Sequence, residues 1–163
     1  MKELLPHAER AVALLIARKQ TIVVAESSAG GLITAALLAV PGASACVRGG
    51  VVVYTYEMRR TLLGISDDEM RGITPSTEAY ALLKARRIRE RMKTDWSLSE
   101  TGAAGPTGSR YGYPPGHACF AVAGVVELTR TLETGNDDRV ANMQAFAAAA
   151  LDLLIEVVAA APG

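Results

Sequence analysis

The chain has 163 residues, half of them hydrophobic and 5% aromatic, with 17 basic and 17 acidic side chains. That length suits one domain over residues 1–163, with a core of Ala, Val and Leu. The zero formal charge argues against a nucleic-acid partner as the main business. No apolar run approaches the length of a membrane span. The stretch MKELLPHAERAVALL lacks a basic n-region, an apolar h-region and a small-residue cleavage site, so a cytoplasmic protein without a membrane partner is expected.

Residues 3 to 18 carry a helical stripe at Leu4, Leu5, Ala8, Val12, Leu15 and Ile16. Thr21 to Ala25 is short and β-branched, as in a central strand. It stops at Glu26-Ser27-Ser28, then Gly30-Gly31, and a helix is predicted from about Ser28 to Leu38. Such a turn puts backbone N–H groups at one exposed point. Serine caps helices well, the glycines allow close approach, and the helix dipole favours an anion. The turn is neither GxGxxG nor GxxxxGK[ST], so it matches no nucleotide fingerprint.

Pro41 to Ala45 reads as a loop, and Gly49-Gly50 precedes a predicted strand over Val51 to Tyr56. A short helix is expected from Glu57 to Leu63, ended by Gly64, with another helix start at Ser66 to Glu69. Thr77 to Met92 reads as a long helix with Ser76 as N-cap. Its cluster Arg86, Arg87, Arg89, Arg91 and Lys93 reads as a solvated face that complements the dipole. Asp95 to Thr101 is a predicted strand that enters a glycine-rich loop through Gly102, Gly105 and Gly108 to Gly116. Long loops of this kind are usually functional or mobile. His117 to Ala123 and Glu127 to Glu133 form a predicted hairpin, and Asp137-Asp138 caps a last alanine-rich helix. Strands alternating with helices indicate an α/β sandwich: a mixed, mostly parallel sheet of about five strands with a C-terminal hairpin.

Cys46 and Cys119 each lie in an apolar stretch, and their spacing matches no zinc motif, so two reduced, buried thiols are expected. His7 and His117 are the only histidines, and neither has a metal set around it. A metal site or a Ser-His-Asp triad has little material. Open α/β sheets bind ligands at the carboxyl ends of their strands. Three ends here lead into polar or glycine-rich loops: after Ala25, after Tyr54 and after Thr101. Converging, they would gather Glu26, Ser27, Ser28, Ser44, Thr55, Glu57, Arg59, Glu100, Thr101 and backbone N–H groups, a set suited to polar, anionic small molecules.

The stretches AESSAGGL, VPGASACVRGGVVVYTYEMR with LLGI, and ETGAAGPTG resemble the C-terminal domain of the competence/damage-inducible protein CinA. The corresponding family segments read AESCTGG, PGSS, a GGxVTYSNEAK-like run and TGIAGP. The resemblance covers nearly the whole chain in order and spacing. It implies a three-layer α/β/α fold, commonly a homodimer or higher homo-oligomer. It also implies cofactor-free hydrolysis of a phosphorylated nucleotide, nicotinamide mononucleotide, to nicotinate mononucleotide and ammonia. By position the resemblance assigns Ser44 as nucleophile, Tyr54 as the assisting tyrosine, and Arg59 to the place of the family's lysine base. It leaves Glu26, Ser27, Ser28, Gly30, Gly31, Gly49, Gly50, Thr101, Gly102 and Gly105 to bind substrate.

Arginine stays protonated in proteins, with a pKa of roughly 12 or more, so Arg59 is a poor base. Tyr54 as phenolate, Glu57 or water remain as alternatives. Tyr56 stands in place of an asparagine, Ala29 in place of a threonine, and Met143 in place of an arginine early in the last helix. The tyrosine-rich segment Arg110 to Tyr113 is expected to reshape the pocket. The second reading is an altered or inactive family member that binds a small anionic metabolite.

Overall fold

The computed structural model describes residues 1–162. Helix α1 (Leu5–Ala17) leads to strand β1 (Ile22–Glu26), helix α2 (Leu32–Leu38) and strand β2 (Val47–Val52). A short helix α3 (Tyr56–Met58) runs into a π-helical turn at Arg59–Leu63. Helix α4 (Glu78–Met92), strands β3 (Trp96–Ala103), β4 (His117–Ala123) and β5 (Glu127–Glu133), and helix α5 (Arg139–Ala160) complete the chain. The sheet order is β2-β1-β3-β4-β5. β1 pairs in parallel with β2 and β3, and the β3–β4 and β4–β5 pairs are antiparallel. Only β4 therefore runs against the other strands.

The strand period of two sorts the core into layers. Ile22, Val24, Trp96, Leu98, Ala118, Phe120 and Val122 pack with residues of α1, α2 and α5 on one face. Val23 and Ala25 pack on the other face with Leu63, Ile65 and Ile88, and Cys119, Ala121 and Ala123 pack there with Ala81 and Ala85 of α4. The sheet lies between three helices and one, as an α/β/α sandwich. α5 is long and apolar enough to cross a membrane by length and composition. Its side chains Phe146, Ala147, Ala150, Leu151, Leu153, Leu154, Val157 and Val158 are buried here as a core helix.

Several local expectations shift. The second strand is Val47–Val52, not Val51 to Tyr56. Register with β1 carries the pairing back to Val47, and Thr55 instead caps α3, its Oγ1 accepting from Met58 N–H at 3.2 Å. The cap of α4 is Thr77, whose Oγ1 accepts from Tyr80 N–H at 3.2 Å, and not Ser76, which has φ 63°. Ser66 and Glu69 make the reciprocal bonds of a capping box, yet only turns follow. The two cysteines are free and buried.

One buried cation ties the strand ends together. Lys84 on α4 is fully buried, and its Nζ donates to the carbonyls of Glu100 at 2.7 Å and Ala25 at 3.5 Å. Burial lowers its pKa from 10.5 to about 8, against the opposing pull of Glu100 and Glu26. The clamp fixes the end of β1 against the middle of β3, beside the turn that follows β1.

Two outcomes are expected from this packing. A Cβ at Gly124 would lie 2.1 Å from the ring of the fully buried Trp96. Gly124→Ala should therefore cost about 1–3 kcal/mol in urea denaturation, as overpacking does. Between about pH 8 and 10.5 the unfolded chain holds a proton on Lys84 that the folded chain has released. The contribution of Lys84 should therefore rise with pH across that window, by up to about 3 kcal/mol. The check is denaturation of wild type and Lys84→Met on both sides of the window. A wild-type-minus-variant difference that stays flat with pH would contradict it.

Candidate functional site

A cleft of about 390 Å³ opens at the carboxyl ends of the strands. Ser27 and Ser28 line it from the turn after β1, and Val53 to Tyr56 from the segment after β2. Thr101 to Gly105 and Thr107 to Tyr111 line it from β3 and the following loop. Pro75, Ser76 and Tyr80 enter from the start of α4, and Arg139 from the start of α5. The three strand ends thus meet in one place.

Two buried carboxylates shape the first wall. Glu26 accepts from the N–H groups of Gly31 (2.9 Å), Ile33 (3.0 Å) and Thr34 (2.7 Å) and from Thr34 Oγ1 (2.5 Å). It caps α2 from the preceding strand, because Gly31 at the cap position has no side chain to do so. Burial raises the Glu26 pKa, with a further push from Glu100, while the bonds to Thr34 and Ile33 hold it down. Glu100 accepts from Ser27 N–H at 2.8 Å, Ala29 N–H at 2.9 Å and the Ser28 hydroxyl. Its carboxylate therefore lies directly behind a cleft serine, oriented by two backbone donors. Ser28 is 6% exposed and Glu100 is fully buried.

The second wall is aromatic and cationic. The Tyr56 and Tyr111 hydroxyls bond to each other, and the Arg59 and Arg110 guanidinium carbons each lie 5.5 Å from the Tyr56 ring centre. The Tyr111 phenol is pushed up to about 12 by burial and its bond to Tyr56, and that of Tyr80 to about 12 by burial. Both stay protonated at neutral pH. The loop is held from inside. The Ser109 hydroxyl accepts from the N–H groups of Tyr111 (3.3 Å) and Tyr113 (3.2 Å), and Tyr113 stacks on His117 with ring centroids 4.2 Å apart. His117 in turn bonds Glu133 and the Ser76 carbonyl, the latter at 2.8 Å.

Of the residues expected at the site, Ser27, Ser28, Tyr54, Thr55, Thr101, Gly102 and Gly105 line the cleft. Glu26 sits behind it. Ser44 does not reach it. It is exposed on a 3₁₀ turn (Ala43–Ala45) that precedes β2, at the opposite end of the sheet. Arg59 is buried beneath Tyr56, where it pairs with Asp67 and leaves Nε without a protein partner among the described residues. Gly30 and Gly31 lie beside the cleft rather than in its lining. Gly49 and Gly50 belong to edge strand β2, where a Cβ at Gly50 would lie 2.0 Å from Thr34 Oγ1. Glu57 is exposed outside the lining.

Sequence reasoning missed Tyr80, Ser76 and Arg139. The only signal for Arg139 was its place just after the helix cap Asp138, which carries no meaning until the start of α5 is known to reach the cleft. Arg110 belongs to the tyrosine-rich segment expected to reshape the pocket, and it does line it. No group of three or more His, Cys, Asp or Glu side chains suited to a metal occurs among the described residues.

Comparison with known proteins agrees with this architecture. The CinA C-terminal domain matches residues 5–158. A CinA-like protein of Gloeobacter violaceus is 39% identical over 126 residues, covering 77% of this chain and 29% of that protein. One from Prochlorococcus marinus is 41% identical over 111 residues, 68% of this chain and 26% of that protein. The chain thus spans less than a third of the length of these relatives. The crystal structure of a competence damage-inducible protein A from Klebsiella pneumoniae superposes with a TM-score of 0.91 at 26% identity, covering 98% of this chain and 99% of that one. A competence/damage inducible protein from Agrobacterium tumefaciens gives 0.87 at 28% identity, with 94% of both chains covered. The matched segment contains every strand and both serine- and glycine-rich turns, and the chain belongs to the CinA C-terminal domain family.

Proposed function

We propose that this chain is an amidohydrolase that deamidates nicotinamide mononucleotide, or a close phosphorylated carboxamide, to the carboxylate and ammonia. The observation that carries the reading is the Ser28–Glu100 contact in the cleft wall. A nucleophile needs a base within hydrogen-bond reach, and the base needs an orienting group. Ser28, Glu100 and the N–H groups of Ser27 and Ala29 supply that arrangement.

The chemistry then runs in two halves. Ser28 Oγ attacks the carboxamide carbon as Glu100 takes the hydroxyl proton. The proton passes to the departing nitrogen, which leaves as ammonia from a seryl ester. Water, deprotonated by Glu100, attacks the ester; the proton returns to Ser28 Oγ and the carboxylate product leaves. The N–H groups of Ala104, Gly105 and Gly108, which meet no protein acceptor among the described residues, are suited to the oxyanion. The protonated phenols of Tyr80 and Tyr111 add donors. Ser44 and Arg59, which the family resemblance assigns to the reaction, stand outside this scheme.

A second reading keeps the pocket and drops the reaction. The cleft lining holds no His, Lys, Asp or Glu, so an anionic metabolite would find donors and cations but no base in direct contact.

The test is ammonia release from nicotinamide mononucleotide by wild type and by Ser27→Ala, Ser28→Ala, Ser44→Ala and Glu100→Gln, each shown to be folded by circular dichroism. Ser28→Ala is expected to lose at least about 10³-fold in kcat, and Glu100→Gln about 10²-fold or more, in line with removal of a nucleophile and a base. Ser44→Ala should match wild type. Full activity in Ser28→Ala with loss in Ser44→Ala would return the nucleophile to Ser44. No ammonia from folded wild type would select the binding reading.

A further inference from the structure

β1 and β3 pair in parallel as far as Ala25 and Ser99, and the ladder between them ends there. The proposed base and nucleophile lie just past that fork, on different strands. Glu100 is the next residue of β3, and Ser28 follows the end of β1. Lys84 fills the fork from the α4 layer. Its side chain is fully buried, and its Nζ donates to the Glu100 carbonyl at 2.7 Å and the Ala25 carbonyl at 3.5 Å. Both bonds go to main-chain carbonyls, so the ammonium grips the strands themselves. Lys84 is absent from the cleft lining and acts on the site only through those strands.

A buried ammonium carries a desolvation cost, and charge-assisted bonds, about twice as strong as neutral ones, offset part of it. Here they close a ring. Lys84 holds Ala25, Ala25 leads into the serine turn, and Ser27 N–H (2.8 Å), Ala29 N–H (2.9 Å) and the Ser28 hydroxyl bond the Glu100 carboxylate. The Glu100 carbonyl returns to Lys84. A slide of β3 against β1 at the fork would draw Glu100 off Ser28, and the ammonium resists it. The elements packed against α4 bring Glu26 on β1, Glu100 on β3, Cys119 on β4 and Arg59 on the π-helical turn. α4 itself adds Tyr80, with its ring centre 5.3 Å from Nζ. On β5, Glu127, Arg130 and Glu133 are paired with Arg86, Glu156 and His117 of β4. Burial brings Lys84 down to about 8, while Glu100 and Glu26 pull it up, so the ammonium is the main form at neutral pH.

We propose that Lys84 is a positioning residue for the Ser28–Glu100 pair: as an ammonium it bridges the fork between β1 and β3 and holds the Glu100 carboxylate on the Ser28 hydroxyl. The role rests on the amidohydrolase reading for its catalytic consequence and on the fork geometry for the rest. Lys84 exchanges no proton with the substrate. When it becomes a neutral amine its donors weaken, the strut slackens, and proton transfer from Ser28 slows. Substrate binding, which Lys84 does not touch, stays as it was.

The experiment follows one titration in three places. Protein isotope-labelled at lysine Cε gives the Lys84 midpoint by NMR. The chain has four lysines, Lys2, Lys19, Lys84 and Lys93, and the Lys84 signal is the one that Lys84→Met removes. Amide spectra follow Ser27 and Ala29, whose N–H groups report the bonds to Glu100. Ammonia release from nicotinamide mononucleotide gives kcat and KM on both sides of the midpoint. In wild type the two amides should shift and kcat should fall together as pH rises through about 8, with KM constant within about twofold. Lys84→Met, shown to be folded by circular dichroism, should show neither transition in that window, with kcat at neutral pH about 10-fold to 100-fold below wild type. Lys84→Arg keeps its charge and should recover part of kcat without the alkaline fall. Ser27 and Ala29 amides that stay still through the Lys84 midpoint, or the same alkaline fall in Lys84→Met, would overturn the proposal. If Lys84→Met does not fold, the wild-type amides decide alone. Amides that track Lys84 in a protein that releases no ammonia would keep the strut and remove only the reaction.

Discussion

Glu26 ends β1 and Glu100 lies within the neighbouring parallel strand β3, each one residue past the paired Ala25 and Ser99, and both carboxylates are buried. Two like charges at that spacing would be prohibitive alone, since each carries a desolvation cost and each repels the other. The surrounding chain answers with directed donors. Backbone N–H groups from Ser27, Ala29, Gly31, Ile33 and Thr34 converge on the four oxygens, with hydroxyls from Ser28 and Thr34. The start of α2 adds its dipole, and the Lys84 ammonium adds a charge from the opposite layer. The turn from Ser27 to Gly31 is therefore fixed at nearly every residue, and the position of the cleft serines follows from it.

Close backbone approach does the rest. Gly105, with φ 108°, lets the loop after β3 turn under the first residues of α5. Gly30, with φ 68°, leaves room for Met143 from the same helix. A side chain at Gly105 would push against the backbone just before α5, whereas one at Gly30 would meet the flexible tip of Met143. The opposite side is closed by aromatic contacts instead: Tyr56 with Tyr111, and Tyr113 stacked on His117. The cleft thus has a wall held by buried charge and a wall held by ring packing.

Much of this was legible in the sequence. Apolar runs gave the long helices and four of the five strands closely, with the second strand displaced toward Val47, because burial on the core face determines both. The convergence of three strand ends was an inference from the rule that open α/β sheets bind ligands at the carboxyl ends of their strands, and one cleft is lined from all three. What the sequence withheld depends on distances between segments far apart in the chain. Ser76 and Thr77 are both plausible caps, and the positive φ of Ser76 settles it for Thr77 only once the chain is folded. Val53 to Tyr56 has strong β-propensity, yet pairing with β1 ends at Val52, and Thr55 gains more as a helix cap. Glu100 reads as one polar residue in a strand, and its partnership with Ser28 spans 72 positions. Ser44 and Ser28 are equal as letters and differ only in which end of the sheet they occupy.

Arginine at position 59 has a structural place in this fold. A lysine there would be a flexible amine able to lose its proton when desolvated. Arginine keeps its charge, and its fork binds Asp67 while its plane lies under Tyr56. That makes the side chain part of the wall: it anchors the turn at Asp67 on one side and supports a cleft ring on the other. Glu100 is the carboxylate in contact with a cleft serine, and the proposed reaction gives it the acid–base task. Family membership fixes the frame because layers and glycine approaches are hard to change. Function still has to be argued from the site.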